Sequence, residues 1–154
     1  MSLFRRDPKV ITGKDITFSV LEAPLKAQGF GVHTTDDPCD IEVRSICGQY
    51  ALIVNVAGDE LFLYTGLPLK KDRDELANLR FANQITNENK MVRAIIDTER
   101  DWIWLNYLIM TDVGVTLEQV VSDITAFFDQ ALVALSRANE KCDILADPPP
   151  EPAE

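Results

Sequence analysis

Apolar and polar residues alternate along the middle of the chain, and this alternation predicts β-strands. Turns at Gly48 and Gly58 separate the alternating runs. Turns this short join antiparallel neighbours, because a parallel pair needs a crossover of about a dozen residues or more. The sequence therefore predicts a three-strand antiparallel meander with strands at 41–45, 50–57 and 61–65.

Two more strands are predicted later in the chain, over 91–98 and 102–110. The second is rich in the aromatic and β-branched residues that favour strands. Side chains alternate along a strand, so Trp102 and Trp104 share one face. The opposite face is also apolar and carries Ile103, Leu105 and Tyr107. One face is expected to pack under helices. The other is expected to meet a second subunit or a ligand, or else to be shaded by long side chains.

Three segments repeat their apolar residues at helical spacing instead. The first follows Thr12, a candidate N-cap with Asp15 three residues later. Apolar residues continue at helical spacing as far as Leu25, but Pro24 lies within the pattern. Proline lacks an N–H and clashes with the preceding turn, so the helix is predicted to kink or end near residue 22 or 23.

The second helix is predicted to begin at Asp72 as its N-cap, with Glu75 three residues later. Its predicted buried face consists of Leu76, Leu79, Ala82, Asn83, Ile85 and Thr86. The third helix follows Thr116, which forms a capping-box pattern with Gln119, and its amphipathic pattern runs to about Glu140.

The predicted order is helix, three-strand meander, helix, two strands, helix, which is an α+β fold. A chain of 154 residues is the size of one domain. Residues 1–11 are predicted to be a flexible arm, residues 12–141 the domain, and residues 142–154 a flexible proline-rich and acidic tail.

Charge and cysteine usage narrow the expected partners and compartment. The net charge of −10 disfavours nucleic acid and anionic membrane, because a phosphate-rich surface repels it. It suits a protein or peptide partner better, although it can also serve only solubility. No run of about 18 apolar residues could span a bilayer. Cys39, Cys47 and Cys142 form no paired motif, and Arg5 and Arg6 stand where a signal peptide needs apolar residues. Cytoplasm is the expected location.

Candidate chemistry is sparse. His33 is the only histidine, so a histidine-based catalytic site would depend on it alone. The acidic turn at 36–40 lacks the register of a calcium loop, and the acids at 97–101 are expected to form a solvated hairpin tip. The pair Gly29 and Gly31 lacks the third glycine of a dinucleotide loop. We therefore expect no catalytic residue, metal ligand or cofactor site, and hence no enzyme.

Binding is the remaining hypothesis. Trp102 and Trp104 supply an apolar surface, and polar neighbours could add directional hydrogen bonds. The candidate partner-binding or dimer surface consists of Trp102, Trp104, Asn106, Arg93 and Asn83. Two alternatives stay open: a regulator that senses a small ligand in a pocket between helix and sheet, and a carboxylate-dependent hydrolase that uses the acids at 36, 37, 97 and 101.

Several segments resemble the YbjN family, whose fold is similar to that of type III secretion chaperones. The resemblance extends over about 12–137 and is sharpest over 82–94. It continues through 95–97, 102–104 and 113–118. It implies helices packed on one face of an antiparallel sheet, and often a homodimer. It also implies a regulator of sensory transduction, a role that is itself provisional in the family, or a chaperone-like protein. Pro24 departs from the pattern by interrupting the first helix.

Overall fold

The computed structural model describes residues 10–45, 50–71 and 73–146. Within these ranges the chain forms a mixed α+β structure. The helices are α1 (Phe18–Ala27), α2 (Glu75–Glu88) and α3 (Leu117–Cys142). The strands are β1 (Val10–Ile11), β2 (Gly31–Thr34), β3 (Asp40–Arg44), β4 (Ala51–Ala57), β5 (Glu60–Pro68), β6 (Arg93–Asp97), β7 (Trp102–Met110) and β8 (Val115–Thr116).

Six strands form one antiparallel sheet in the order β2-β3-β4-β5-β7-β6. The predicted strands and their antiparallel pairing are thus present, but the meander has four strands instead of three. The additional strand is β2, which is only four residues long and buries Val32 alone, so its alternation is too short to detect. Strand β7 lies inside the sheet and β6 at its edge. The predicted turn at Gly48 lies outside the described residues.

One face of the sheet packs against the helices and forms the core. Alternate residues of the central strands are fully buried there, for example Val43, Leu52 and Leu63, each at 0% exposure. The helices contribute Leu21, Phe81 and Phe127 to the same cluster. The other face carries the residues between these positions, and no helix of the described residues packs on it. We call it the open face.

The first helix differs from its prediction in both bounds. Thr12 and Asp15 do form a capping box, but it closes a short 3₁₀ turn, and α1 begins at Phe18. Pro24 therefore lies well inside α1, which continues to Ala27. The missing proline N–H removes a single hydrogen bond within the helix, and burial of the neighbouring residues Leu21 and Leu25 in the core outweighs that loss.

The second helix buries a different face from the predicted one. Its N-cap is Asp74, whose carboxylate accepts a hydrogen bond from the Leu76 amide, while Asp72 lies outside the described residues. Leu76 and Leu79 are 50% and 45% exposed, and Phe81 is buried instead. The remaining buried residues of α2 are Asn78, Ala82 and Ile85. Since Ala82 and Ile85 suit either face, the apolar pattern left the rotation of this helix ambiguous.

The third helix begins where the sequence predicts. Thr116 accepts a hydrogen bond from the Gln119 amide, as the capping pattern predicts, and α3 runs two residues past the expected end. Residues next to both ends of the predicted domain also pack against it. Ile11 is buried in β1, which pairs with β8, and Ile144 is 1% exposed. The packed structure therefore includes residues 10–11 and 142–146.

Candidate functional site

The open face exposes large apolar side chains on the neighbouring strands β5, β7 and β6. Ile95, Met110, Leu108 and Phe62 are 55%, 48%, 42% and 38% exposed. Adjacent large apolar side chains that stay this exposed often mark a surface that meets a partner or a ligand. The open face is therefore the candidate functional surface.

Strand register places these residues in transverse rows. One row crosses all six strands through successive antiparallel pairs. Its members are His33, Glu42, Ile53, Tyr64, Asn106 and Arg93. The next row toward the hairpin at 98–101 aligns Gly66, Trp104 and Ile95. Asn106 thus lies at the centre of the apolar surface, with Tyr64 on one side and Arg93 on the other.

Aromatic rings form a continuous cluster on this surface. Trp102 and Trp104 stack with ring centroids 5.4 Å apart, and Tyr64 meets Trp104 edge-on at 6.0 Å. Phe62 extends the cluster at 5.8 Å from Tyr64. Offset and edge-on pairs at these distances are the favoured aromatic arrangements. The cluster is therefore a rigid apolar platform.

Gly66 determines where the Trp104 ring lies. A Cβ atom at this position would lie 2.5 Å from the ring, closer than side-chain atoms approach one another. The indole therefore rests directly over the Gly66 backbone. Glycine is found in strand interiors where another group approaches the backbone this closely.

A shallow hollow of about 270 Å³ opens at the centre of the open face. Phe62, Tyr64, Ile95 and Trp104 form its walls, and Asn106 lines it as well. Asn106 is only 9% exposed, and its side-chain amide has no hydrogen-bond partner among the residues that the structure describes. Because Asn106 lines the open hollow, its amide is free to bond to water or to a group outside the chain.

Tyr64 connects the hollow to an acidic group. Its hydroxyl donates a hydrogen bond to Asp40 at 3.1 Å, and the Asn55 amide donates to the other carboxylate oxygen at 2.6 Å. Burial, together with the nearby charges of Asp40 and Asp37, raises the pKa of Tyr64 to about 12. Tyr64 therefore stays neutral at physiological pH and acts as a fixed donor.

Charged groups border the apolar surface unevenly. Glu42 accepts a hydrogen bond from Arg44 at 2.5 Å, and this contact raises the pKa of the guanidinium. Arg93 lies across the hollow on the edge strand, is exposed, and forms no ion pair within the described ranges. Arg93 is thus a cation next to the hollow that remains available to a partner.

Four of the five predicted surface residues come together on the open face: Arg93, Trp102, Trp104 and Asn106. Asn83 does not join them, because it is exposed on α2, on the helix side of the sheet. The sequence analysis missed Phe62, Tyr64, Ile95, Leu108 and Met110. Alternation along 102–110 was enough to place Leu108 and Met110 on the face of Trp104, whereas only the β5–β7 and β6–β7 pairings show that Phe62, Tyr64 and Ile95 share this face.

The acidic residues considered for hydrolysis are not gathered into one site. Asp37 accepts a hydrogen bond from the Cys39 amide, at the β2–β3 turn. Asp97 accepts bonds from the Glu99 and Arg100 amides at the other side of the sheet. Among the described residues, no cluster of three His, Cys, Asp or Glu side chains could hold a metal ion.

A pocket between helix and sheet, as the small-ligand hypothesis requires, is present at the start of α1. It has a volume of about 360 Å³ and is lined in part by Phe18, Asp37 and Asp40. Both carboxylates already accept hydrogen bonds from their own chain. Neither carboxylate of this pocket is therefore without a hydrogen-bond partner, whereas the Asn106 amide of the hollow has none within the described residues. None of the described helices combines the length and hydropathy needed to cross a bilayer.

Comparison with known proteins supports the fold. No protein-family model and no curated protein matches the chain in sequence. The structure is similar to the crystal structure of YbjN from E. coli, a protein provisionally described as a transcription regulator. The TM-score is 0.70, with 90% of this chain and 99% of YbjN covered, at 14% sequence identity. At an identity this low, the structural similarity shows a shared fold alone, and the expected likeness to YbjN is confirmed for the fold.

Proposed function

We propose that this protein is a non-enzymatic binding module whose open face binds protein. The observation that carries the proposal is the aromatic hollow with the unpartnered Asn106 amide at its centre. Protein interfaces combine buried aromatic residues with a few directional polar groups, and Arg and Trp are enriched among those that contribute most. Trp104, Asn106 and Arg93 supply this combination within one small area.

The remaining features support a regulatory or chaperone-like role for such a module in the cytoplasm. YbjN is provisionally described as a transcription regulator, and its fold is the one found here. The net charge of −10 disfavours direct contact with a nucleic-acid backbone, so regulation through protein contacts suits this chain better. Neither a catalytic group nor a cofactor is needed for that role.

Burial of the open face would supply enough free energy for specific binding. Fully burying one large apolar side chain is worth about 1.5–3 kcal/mol, so each of the four residues that are 38–55% exposed in the free chain could contribute roughly half of that. A pre-formed sheet loses little conformational freedom on binding, which limits the entropic cost. The open face is therefore suited to a stable contact.

Site-specific photo-crosslinking in the native cell tests the proposal. A photoreactive residue at Phe62, which is 38% exposed on the open face, should give discrete protein adducts. The matched control is Val133, which is 47% exposed on α3. The adducts at position 62 should disappear when Leu108→Asp is added, because a charge in the apolar surface opposes burial. Equal labelling at both positions, or adducts that persist with Leu108→Asp, would contradict the proposal.

A further inference from the structure

We infer that residues 1–9 of this chain dock in a groove between α1 and α3, where their apolar and basic side chains meet an apolar lining and two acids. These residues precede the part of the chain that the structure describes. The groove lies on the helix side of the sheet, so the inference goes beyond the function proposed for the open face. Three features lead to it: the lining of the groove, the point where the segment enters it, and the sequence of the segment.

A groove of about 570 Å³ lies between α1 and α3. Its apolar lining residues are Pro24, Ala27, Leu117, Val121 and Ala126. Glu118 and Asp129 line it as well, and both are exposed. Neither acid forms an ion pair within the described ranges of the chain. Because apolar side chains and unpaired acids line it together, the groove suits a short segment that carries both apolar and positively charged side chains.

Strand β1 brings the segment to one end of this groove. Val10 pairs with Thr116 and Ile11 with Val115 in antiparallel register, and Ile11 is buried. Antiparallel partners run in opposite directions, so the chain that precedes Val10 leaves β1 toward Leu117. Leu117 is the first residue of α3 and lines the groove. The segment 1–9 therefore starts at the end of the groove where α3 begins.

The length of the segment matches the length of the groove. Along α3 the groove extends from Leu117 to Asp129, which is about 18 Å at a rise of 1.5 Å per residue. An extended chain covers at most about 3.3–3.6 Å per residue, so the stretch from Val10 back to Phe4 spans up to about 20 Å. Phe4 and the residues that follow it can therefore contact the groove over its whole length.

The sequence of the segment complements the lining. Its large apolar and basic residues include Leu3, Phe4, Arg5, Arg6 and Lys9. Its only acid is Asp7, whereas the chain as a whole has a net charge of −10. In the direction set by β1, Lys9 comes next to Glu118 and the two arginines come within reach of Asp129, so opposite charges meet along the groove. The groove is thus an internal docking site, open to another protein only when residues 1–9 leave it.

Intramolecular photo-crosslinking of the full chain tests the inference. A benzophenone amino acid in place of Phe4 keeps an aromatic side chain there, and irradiation should link it to residues of 24–28 or 117–129, identified by mass spectrometry. Asp129→Lys should lower the yield of this link about fivefold or more, because an attraction to the arginines becomes a repulsion. Adding Arg5→Glu and Arg6→Glu should restore the yield. Glu140→Lys, the matched control at an exposed position of α3 outside the groove, should leave it unchanged.

A second probe at Ser122, an exposed residue of the groove, checks the contact from the other side and should link to residues 3–6. A mixture of isotopically light and heavy chains separates links within one chain from links between copies. Links from position 4 to other parts of the chain, links only between copies, or no link from either probe would overturn the inference. A yield that Asp129→Lys leaves unchanged would overturn it as well. None of these outcomes bears on the proposed function, because position 62 probes the opposite side of the sheet.

Discussion

Replacement of Ile144 tests whether the chain after α3 is part of the folded domain. Ile144 is 1% exposed, and its carbonyl oxygen accepts a hydrogen bond from the Lys70 amide. Its own amide donates to the Asn139 side chain at 2.8 Å. Ile144→Ala keeps both backbone hydrogen bonds and removes only apolar packing, so the variant isolates the contribution of the side chain.

The expected loss can be worked out from the burial. The substitution removes three carbons, worth about 0.8 kcal/mol each in transfer free energy, and a cavity adds to the loss. Measured Ile-to-Ala changes in cores span about 2–5 kcal/mol. Because this segment lies near a chain end and can partly collapse into the cavity, we expect about 2–3 kcal/mol. That is a large fraction of the free energy of unfolding of a typical domain.

Urea denaturation followed by tryptophan fluorescence and circular dichroism measures the loss. Protein concentration must be held constant, because self-association shifts apparent stability. The matched control is Val113→Ala at 86% exposure, which should change stability by less than about 0.5 kcal/mol. A chain truncated after Ala146 should match the full chain. If Ile144→Ala proves as stable as the control, the domain ends at residue 141 and the packing of this segment is wrong.

Three further variants examine the open face and the core. Gly66→Ala should displace the Trp104 ring, change its fluorescence and weaken binding by about 1–3 kcal/mol while circular dichroism stays unchanged. Because folding raises the pKa of Tyr64, its neutral hydroxyl adds to the free energy of unfolding below about pH 10, and this contribution is lost as pH rises through about 12. Tyr64→Phe should remove this alkaline loss, as measured by urea denaturation over a pH series. Phe127→Ala should cost about 3–5 kcal/mol in thermal or urea unfolding, against little for Val133→Ala.

Much of the fold could be predicted because its signals are local. The capping pattern at Thr116 and the helical spacing after it located the start of α3 and placed its end within two residues. Alternation similarly located β7 and assigned Trp102 and Trp104 to one face. These signals lie within one element and depend on its own periodicity alone.

The features that could not be predicted depend on contacts between distant elements. The rotation of α2 is decided by what Phe81 meets in the core, and the short strand β2 exists because it pairs with β3. The open face likewise requires β5 and β6 to lie on either side of β7, although β5 and β7 are separated by α2 in the chain. Composition and periodicity do not reveal which strands pair with one another.

Acrylamide quenching of tryptophan fluorescence tests most directly whether the open face is covered when the protein binds. The chain has two tryptophans, Trp102 and Trp104, and both lie on this face. The account predicts that quenching declines when the protein crosslinked through position 62 is added, and that it stays constant for Leu108→Asp. Quenching of the wild-type chain that does not change when that protein is bound would mean that the partner contacts another surface and that the open face stays uncovered.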